Sequence, residues 1–355
     1  MLGSMALHLA ADRPPVPPAD LMLRVGYSFK APDMKAQRQS FDLEELEHLR
    51  LYQRALAGCG RSFEDFERLL DFGCGCGRFI RHLGSLAERV EIHGTDIDAE
   101  MIEWLRQNAP YGSYEVAPYE PPLPYAAQHF DLIINCSVFT HLDERLQDLW
   151  LGELQRITRP GAFVLLTVEG LASWNHACEA LDQIGQSSAR WRSELESRGI
   201  VFIPHDGFIG STHPDFYHST FHAPWYIFEH WTRFFELAAY LPEGALGHAL
   251  IVLRRRADAA AQPRPIGQTG SLPASFRGFD IDARAALGRL TAAVGRSRFA
   301  GSEKLEGLDP AVVRRELDML RLGLYEQGNR ISVLASQLRD ELDEVRRRGQ
   351  REQNH

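Results

Sequence analysis

The stretch Leu69–Leu83, LLDFGCGCGRFIRHL, sets glycines at 73, 75 and 77 behind a short apolar run and ahead of a helical one. Glycine takes up backbone angles that other residues resist, and its missing side chain lets a ligand lie against the main chain. A strand that enters such a turn and leaves as a helix opens an α/β nucleotide-type fold. No other feature restricts the chain as much.

The chemistry around the turn narrows the ligand. A pyrophosphate-binding turn reads G-x-G-x-x-G, whereas Arg78 stands where its last glycine belongs. Asp71 sits two residues before the first glycine. A carboxylate there repels a pyrophosphate and suits a ligand bearing an ammonium and a sulfonium. That favours S-adenosylmethionine and counts against an NAD-dependent oxidoreductase. Further on, His93-Gly94-Thr95-Asp96-Ile97-Asp98 ends a second apolar run, with Asp96 19 residues beyond Gly77. An acidic residue in that place accepts hydrogen bonds from ribose hydroxyls, and Ile97 offers an apolar surface to the adenine. Asp96 alone is also a reasonable helix N-cap, but Asp98, directly before Ala99-Glu100-Met101, is the better one.

Apolar and strand-forming runs then alternate with helical ones. Strands are predicted at 69–72, 90–94, 114–117, 130–136 and 162–168, with helices at 79–87, 99–108 and 146–157. Arg159-Pro160-Gly161 reads as a turn. Two further strands, near 235–240 and 248–253, close the sheet. Between them lie a mostly helical stretch at 171–199, a strand at 200–203, an aromatic and His-rich loop at 207–224 and a helix from 225 to about 234. The expected architecture is α/β: a doubly wound, mostly parallel, seven-stranded Rossmann-like sheet with a C-terminal coiled-coil helix. Residues 1–60 are expected to form an N-terminal arm, extended and Pro-rich to about residue 40, and a helix. Residues 61–256 form the ligand-binding domain and 257–307 a linker. Over 308–348, Leu317, Leu324, Ile331, Leu338 and Val345 recur every seven residues, with Gln327 and Glu341 interrupting the alternate seam. That pattern suits a coiled coil, and a single amphipathic helix docked on the domain is the alternative.

Four pieces together resemble a class I S-adenosylmethionine-dependent methyltransferase of the bacterial methyltransferase-domain type. They are LLDFGCGCGRF, HGTDID, PPLPY…HFDLIINCSVFTHL and LQRITRPGAFVLLTVEG. The resemblance implies that Asp71, Gly73, Cys74, Gly75 and Gly77 surround the methionine part of the cofactor. It implies Asp96 on the ribose, Ile97 beside the adenine, and Cys136 or Ser137 near the reacting centre. The segment YHSTF…PWYIFEHWTRFFEL is similar to methyltransferases found with bacterial surface-polysaccharide and glycosyl-transfer systems. That resemblance implies O-methylation of a sugar or polysaccharide; a lipid or small metabolite is the alternative acceptor. A cofactor-binding adaptor that recruits a partner through its coiled coil is a reading of a different class.

An alcohol acceptor must lose a proton, so a base is expected near the methyl group. His141, just past the fourth strand, and His218 are the catalytic candidates, with His205, His213 and His222 in reserve. His141 is equally able to pack or cap the next helix. His213, Asp215 and His218 have the spacing of a conceivable metal set, but no metal is expected. The aromatics Phe216, Tyr217, Phe221, Trp225 and Tyr226 suit a sugar ring or simple packing.

Bulk properties exclude several classes. With a net charge of −9 and no basic block before residue 254, a nucleic-acid partner is not expected. Five scattered cysteines, with Cys74-x-Cys76 lacking a second pair, read as reduced thiols rather than a zinc site. Neither a signal peptide nor a membrane span is apparent. A cytoplasmic enzyme is expected, acting on a small-molecule or glycan substrate and forming a homo-oligomer, or binding a partner, through the coiled coil.

Overall fold

The computed structural model describes residues 14–25, 34–171, 173–174, 177–178, 188–203, 218–242 and 247–257. Seven strands form one sheet: β1 (Arg68–Phe72), β2 (Glu91–Asp96), β3 (Gly112–Val116), β4 (Phe130–Ile134), β5 (Thr158–Val168), β8 (Glu236–Leu241) and β9 (Ala249–Arg254). Their order is β3-β2-β1-β4-β5-β9-β8. The first five run parallel, and β9 pairs antiparallel with both β5 and β8. Leu69, Leu70, Leu132, Ile133 and Ile134 are all buried, as expected of central strands covered on both faces. Chain order reverses between β1 and β4, so a crevice opens at their carboxyl ends. Ligands bind there in open α/β sheets.

Helices cover the sheet because their apolar residues recur at three and four positions. In α2 (Met34–Gly58), Leu46, Leu49, Tyr52 and Leu56 join a core cluster with Leu69, Ile80 and Leu105. α3 (Ala99–Asn108) contributes Ile102 and Leu105 to the same cluster, and α4 (Glu144–Ile157) buries Leu146, Trp150, Leu154 and Ile157. Asp98 caps α3 by accepting from the Glu100 and Met101 N–H groups, as anticipated. A second, two-stranded sheet pairs β6 (Ile200–Ile203) antiparallel with β7 (Ser219–His222). It is tied to the main sheet by Thr220 N donating to Thr140 O at 2.7 Å and His222 N to Glu169 O at 2.8 Å.

The structure departs from the expectations at several places. No α-helix forms over 79–87, where two 3₁₀ turns stand at Ile80–His82 and Leu86–Glu88. Ile80 O accepts from Leu83 N at 2.9 Å, the i→i+3 bond of the tight turn, and also from the Tyr111 hydroxyl at 2.6 Å. Arg159-Pro160-Gly161, expected as a turn ahead of β5, lies within it, as an irregularity where the register to β4 shifts between Phe130 and Leu132. The N-terminal arm is not simply extended. α1 (Ala19–Arg24) forms in it and α2 begins at Met34. The loop expected over 207–224 contains β7, while the helix expected at 225–234 spans Pro224–His230 and tightens into a 3₁₀ turn at Trp231–Arg233. The coiled-coil helix over 308–348 and the linker from 258 onward lie outside the described residues. Among the described residues, no helix is long and apolar enough to cross a membrane.

Asp98→Ala removes the one side-chain acceptor shared by two N-terminal N–H groups of α3. The change is expected to destabilise the domain by about 1 kcal/mol, as read from urea unfolding, without altering the far-ultraviolet circular dichroism of the native state.

Candidate active site

The glycine turn is pinned to β2 by three main-chain donors. Gly73 N and Cys74 N both donate to Thr95 O, at 2.7 and 2.9 Å, and Gly75 N donates to Asp96 Oδ2 at 2.7 Å. The other oxygen, Asp96 Oδ1, accepts from Asp98 N at 2.9 Å. Gly73 has φ +77°, and a side chain there would run into Val138. Only glycine fits that backbone and that gap.

Beyond the turn lies a cavity of about 220 Å³, lined along one side by Phe72, Gly73, Gly75, Thr95, Asp96 and Ile97. Cys136, Ser137, Val138, His141, Leu142 and Trp150 line it from the β4 side. Arg24 and Val25 of the N-terminal segment, Met101 of α3, and Ala117, Pro118 and Tyr119 after β3 complete its walls. Ile97 and Tyr119 are both largely solvent-exposed, at 44% and 49%, and so present apolar surface to whatever enters. Sequence reasoning missed Arg24, Val25 and Tyr119. No local pattern marks them, since they reach the cavity only through tertiary packing.

Of the residues predicted to hold the cofactor, Gly73, Gly75, Asp96, Ile97, Cys136 and Ser137 meet at this cavity. Asp71, Cys74 and Gly77 belong to the same motif but do not line the cavity. Asp71 is buried within β1. Cys74 turns its thiol toward the space over Gly94, beside Tyr114, and Gly77 is pressed against Leu105 of α3. These three support the turn from beneath.

The electrostatics are set by burial. Asp71 has its pKa pushed up to about 8, first by burial and then by the charge on Asp96; Asp96 is itself raised, chiefly by burial. Arg78 lines the cavity, yet its Nε donates to Glu45 Oε1 at 2.8 Å and its Nη1 to Val25 O at 3.3 Å. Burial pushes the Glu45 carboxyl up, but Arg78 and His48 outweigh it and hold the pKa below the ordinary value. Arg78 is thereby committed to Glu45, and the two carboxyls by the turn lack a full counter-charge. Such a place stabilises a cationic ligand.

The β4 exit carries the other polar groups. Ser137 takes a left-handed φ of +61°, held by Ser137 N donating to Thr167 Oγ1 at 2.7 Å. Its Oγ is 3.1 Å from Thr140 Oγ1 and 3.5 Å from His141 Nε2. His141 Nδ1 is 2.6 Å from His218 O. A carbonyl only accepts, so Nδ1 carries a proton, and in the neutral ring Nε2 keeps its lone pair. The expected role of the His218 ring is corrected: it packs edge-on to Phe202 and does not line the cavity, so the residue meets His141 through its backbone carbonyl. His222 is buried with Nε2 3.0 Å from Gln147 Oε1, and burial pushes its pKa down to about 3. Cys136 is pushed up to about 12, mainly by burial, and stays a thiol. Phe221, Trp225 and Tyr226 are buried and serve packing, while His205, His213, Asp215, Phe216 and Tyr217 lie outside the described residues.

Residues 69–161 match a family described as a methyltransferase domain. A malonyl-[acyl-carrier protein] O-methyltransferase from Halorhodospira halophila is 29% identical over 167 residues, covering 44% of this chain and 55% of that protein. The chain thus spans about half the length of this curated relative. Among solved structures, a SAM-dependent methyltransferase from Methanosarcina mazei shares 16% identity at a TM-score of 0.41, covering 54% of this chain and 93% of that one. A TehB-like SAM-dependent methyltransferase from Corynebacterium glutamicum shares 16% identity at a TM-score of 0.31, covering 59% and 97%. Residues 69–161 thus match a methyltransferase domain, and the cofactor is S-adenosylmethionine.

Asp71 gives the ligand-free protein a distinct pH dependence. Its folded pKa, about 8, lies above its unfolded value, so its contribution is complete at acid pH. The contribution is lost at about 1.4 kcal/mol per pH unit as pH rises toward the folded pKa. Thermal unfolding from pH 6 to pH 9 should show this loss in the native chain and a flatter profile in Asp71→Asn. Cofactor binding should release protons from the native chain, seen by calorimetry in buffers of different ionisation enthalpy, and fewer from the variant.

Proposed function

We propose that the chain is an S-adenosylmethionine-dependent O-methyltransferase whose acceptor is a hydroxyl group, with sugars as the leading acceptor class. The observation that carries this reading is His141, on the cavity wall with Nδ1 anchored on His218 O and Nε2, 3.5 Å from Ser137 Oγ, keeping the lone pair. S-adenosylmethionine supplies a methyl group on a sulfonium, already a good leaving group. The residues therefore contribute position and a proton acceptor, and alignment of reactants alone is worth up to roughly 7–11 kcal/mol.

In this reading Asp96 receives the ribose hydroxyls, and Ile97 and Tyr119 flank the adenine. Gly73 and Gly75 leave room for the methionine portion, whose ammonium and sulfonium lie toward the carboxyls of Asp96 and Asp71. On the acceptor side, an oxygen–carbon bond forms as the sulfur–carbon bond breaks, and the hydroxyl proton passes to His141 Nε2. Ser137 orients the acceptor beside it. The O-methyl product is the same general class that the Halorhodospira relative's name states. That protein's acceptor is a malonyl group, however, and a carboxylate has no proton to lose at neutral pH. His141 is what favours a hydroxyl. The sugar reading rests on the aromatic and His-rich segment after β6 and on the resemblance to polysaccharide-associated enzymes.

Asp96→Ala should weaken S-adenosylhomocysteine binding by about 1–3 kcal/mol through loss of charged hydrogen bonds. His141→Asn preserves a donor for His218 O and removes the base. It should lower kcat by about 10²–10⁴ while S-adenosylhomocysteine affinity stays within about twofold. The assay uses methyl-labelled cofactor with glycans, lipid alcohols and malonyl thioesters. A base-stable ether product supports the hydroxyl reading; a base-labile ester rejects it. Cofactor binding without transfer to any acceptor would indicate the adaptor instead. For the heptad segment we propose self-association: a chain ending at Arg256 should bind the cofactor as before and sediment as a smaller oligomer than the full chain.

A further inference from the structure

A second cluster of metal-binding side chains stands at the opposite edge of the sheet. Glu91 opens β2, whose far end is Asp96. Five strand steps of about 3.3 Å separate these residues, roughly 16 Å in all. His93 is two residues along from Glu91 and so projects to the same face. His129 directly precedes β4. One ligand atom from each of Glu91, His93 and His129 lies within 4.8 Å of the others, and among the described residues no other His, Cys, Asp or Glu group is gathered this way.

Three details distinguish the cluster from a chance meeting of surface charges. His93 is buried, and its Nδ1 finds no hydrogen-bond partner while its Nε2 is 2.9 Å from Glu91 Oε1. A buried nitrogen left unpaired is costly to maintain and calls for an explanation. Glu91 Oε2 accepts from Arg68 Nε at 2.8 Å. That fixes the carboxylate and leaves Oε1 for one further bond, the outer support that metal-ligating carboxylates usually have. His129, for its part, follows Gln128, a non-glycine residue at φ +56°. The pair is held there by Gln128 N donating to Arg156 O and His129 N to Ile157 O, at 2.9 and 2.7 Å. The ring it presents is stacked on Tyr125, with centroids 5.8 Å apart and planes 13° apart.

We propose that Glu91, His93 and His129 form a site for one divalent transition-metal ion of the zinc class. Two imidazoles and one carboxylate match the ligands such ions prefer, and hard ions such as magnesium favour all-oxygen sets. Ligand atoms on a tetrahedral zinc at about 2.0–2.1 Å from the metal lie roughly 3.4 Å apart. The present spacing therefore needs only a small side-chain adjustment, available to the exposed Glu91. The ion would cross-link the start of β2 to the entry of β4 across the intervening β1, and would act on stability rather than on methyl transfer.

The test is a zinc titration of the full-length protein by calorimetry, with cobalt(II) in parallel as a spectroscopic probe. Glu91→Gln and His129→Ala are compared with the native chain, and magnesium serves as the control ion. The expected result is one zinc equivalent bound by the native chain, tetrahedral cobalt absorption, and a higher Tm with zinc. Each variant should lose at least tenfold in zinc affinity and the zinc-dependent part of the Tm. Their metal-free Tm and S-adenosylhomocysteine affinity should remain native-like, which shows that they fold. Native zinc affinity in both variants would place any bound zinc elsewhere, for example on the histidines after β6, and would overturn the proposal. Absence of zinc binding by the native chain would overturn it equally.

Discussion

One carboxylate joins the two strands on which the cavity depends. Asp96, the last residue of β2, accepts from Gly75 in the turn after β1 and from Asp98 at the start of α3. With Thr95 O receiving Gly73 and Cys74, the turn cannot swing away from the end of β2. The pocket floor, the cap of α3 and the surface presented by Ile97 all follow from this knot of main-chain donors. The same carboxylate faces the cavity, so it links fold and ligand. Its burial is tolerable because backbone N–H groups offset part of the lost hydration.

Charge around this knot is deliberately unequal. Arg78 reaches the cavity but is held by Glu45, which is itself fully buried in α2. Removing either partner would leave an uncompensated charge inside the core. The charge on Asp96 adds to burial in raising Asp71, burial chiefly raises Asp96, and no cation among the described residues neutralises both. A sulfonium and an ammonium would supply that charge. Across the cavity the polar groups are of another kind: a serine in a left-handed conformation and a histidine whose tautomer is set by a backbone carbonyl. The two sides thus differ in charge and in the hydrogen bonds they offer.

The N-terminal segment is structural rather than a tether. Arg81 donates to Pro14 O and Pro15 O at 3.0 Å each, and Leu21 and Met22 pack with Phe41, Cys76 and Met101. Arg24 donates to Asp98 at 3.0 Å and also pairs with Glu100, which places Val25 over Gly75. The cavity thus has a wall drawn from residues about fifty positions before the turn it covers. Prolines keep the segment extended and leave its carbonyls without helical partners, so they remain available to Arg81.

The sequence by itself determined the α/β class and the alternation of strands and helices around a glycine-lined turn, and it located the turn, Asp96, Ile97, Ser137 and His141. Those features are local: a backbone angle, a spacing or a period of apolar residues is enough to specify them. Tertiary structure alone decided which of those side chains face the cavity. Asp71, Cys74 and Gly77 belong to the same motif as Gly73 and Gly75, yet β2, Tyr114 and Leu105 turn them inward. It also decided that Arg24, Val25 and Tyr119 reach the cavity, that the His218 carbonyl rather than its ring serves His141, and that the Tyr111 hydroxyl reaches Ile80 O. Each outcome depends on a partner distant in the chain, and no window of neighbouring residues carries the position of such a partner.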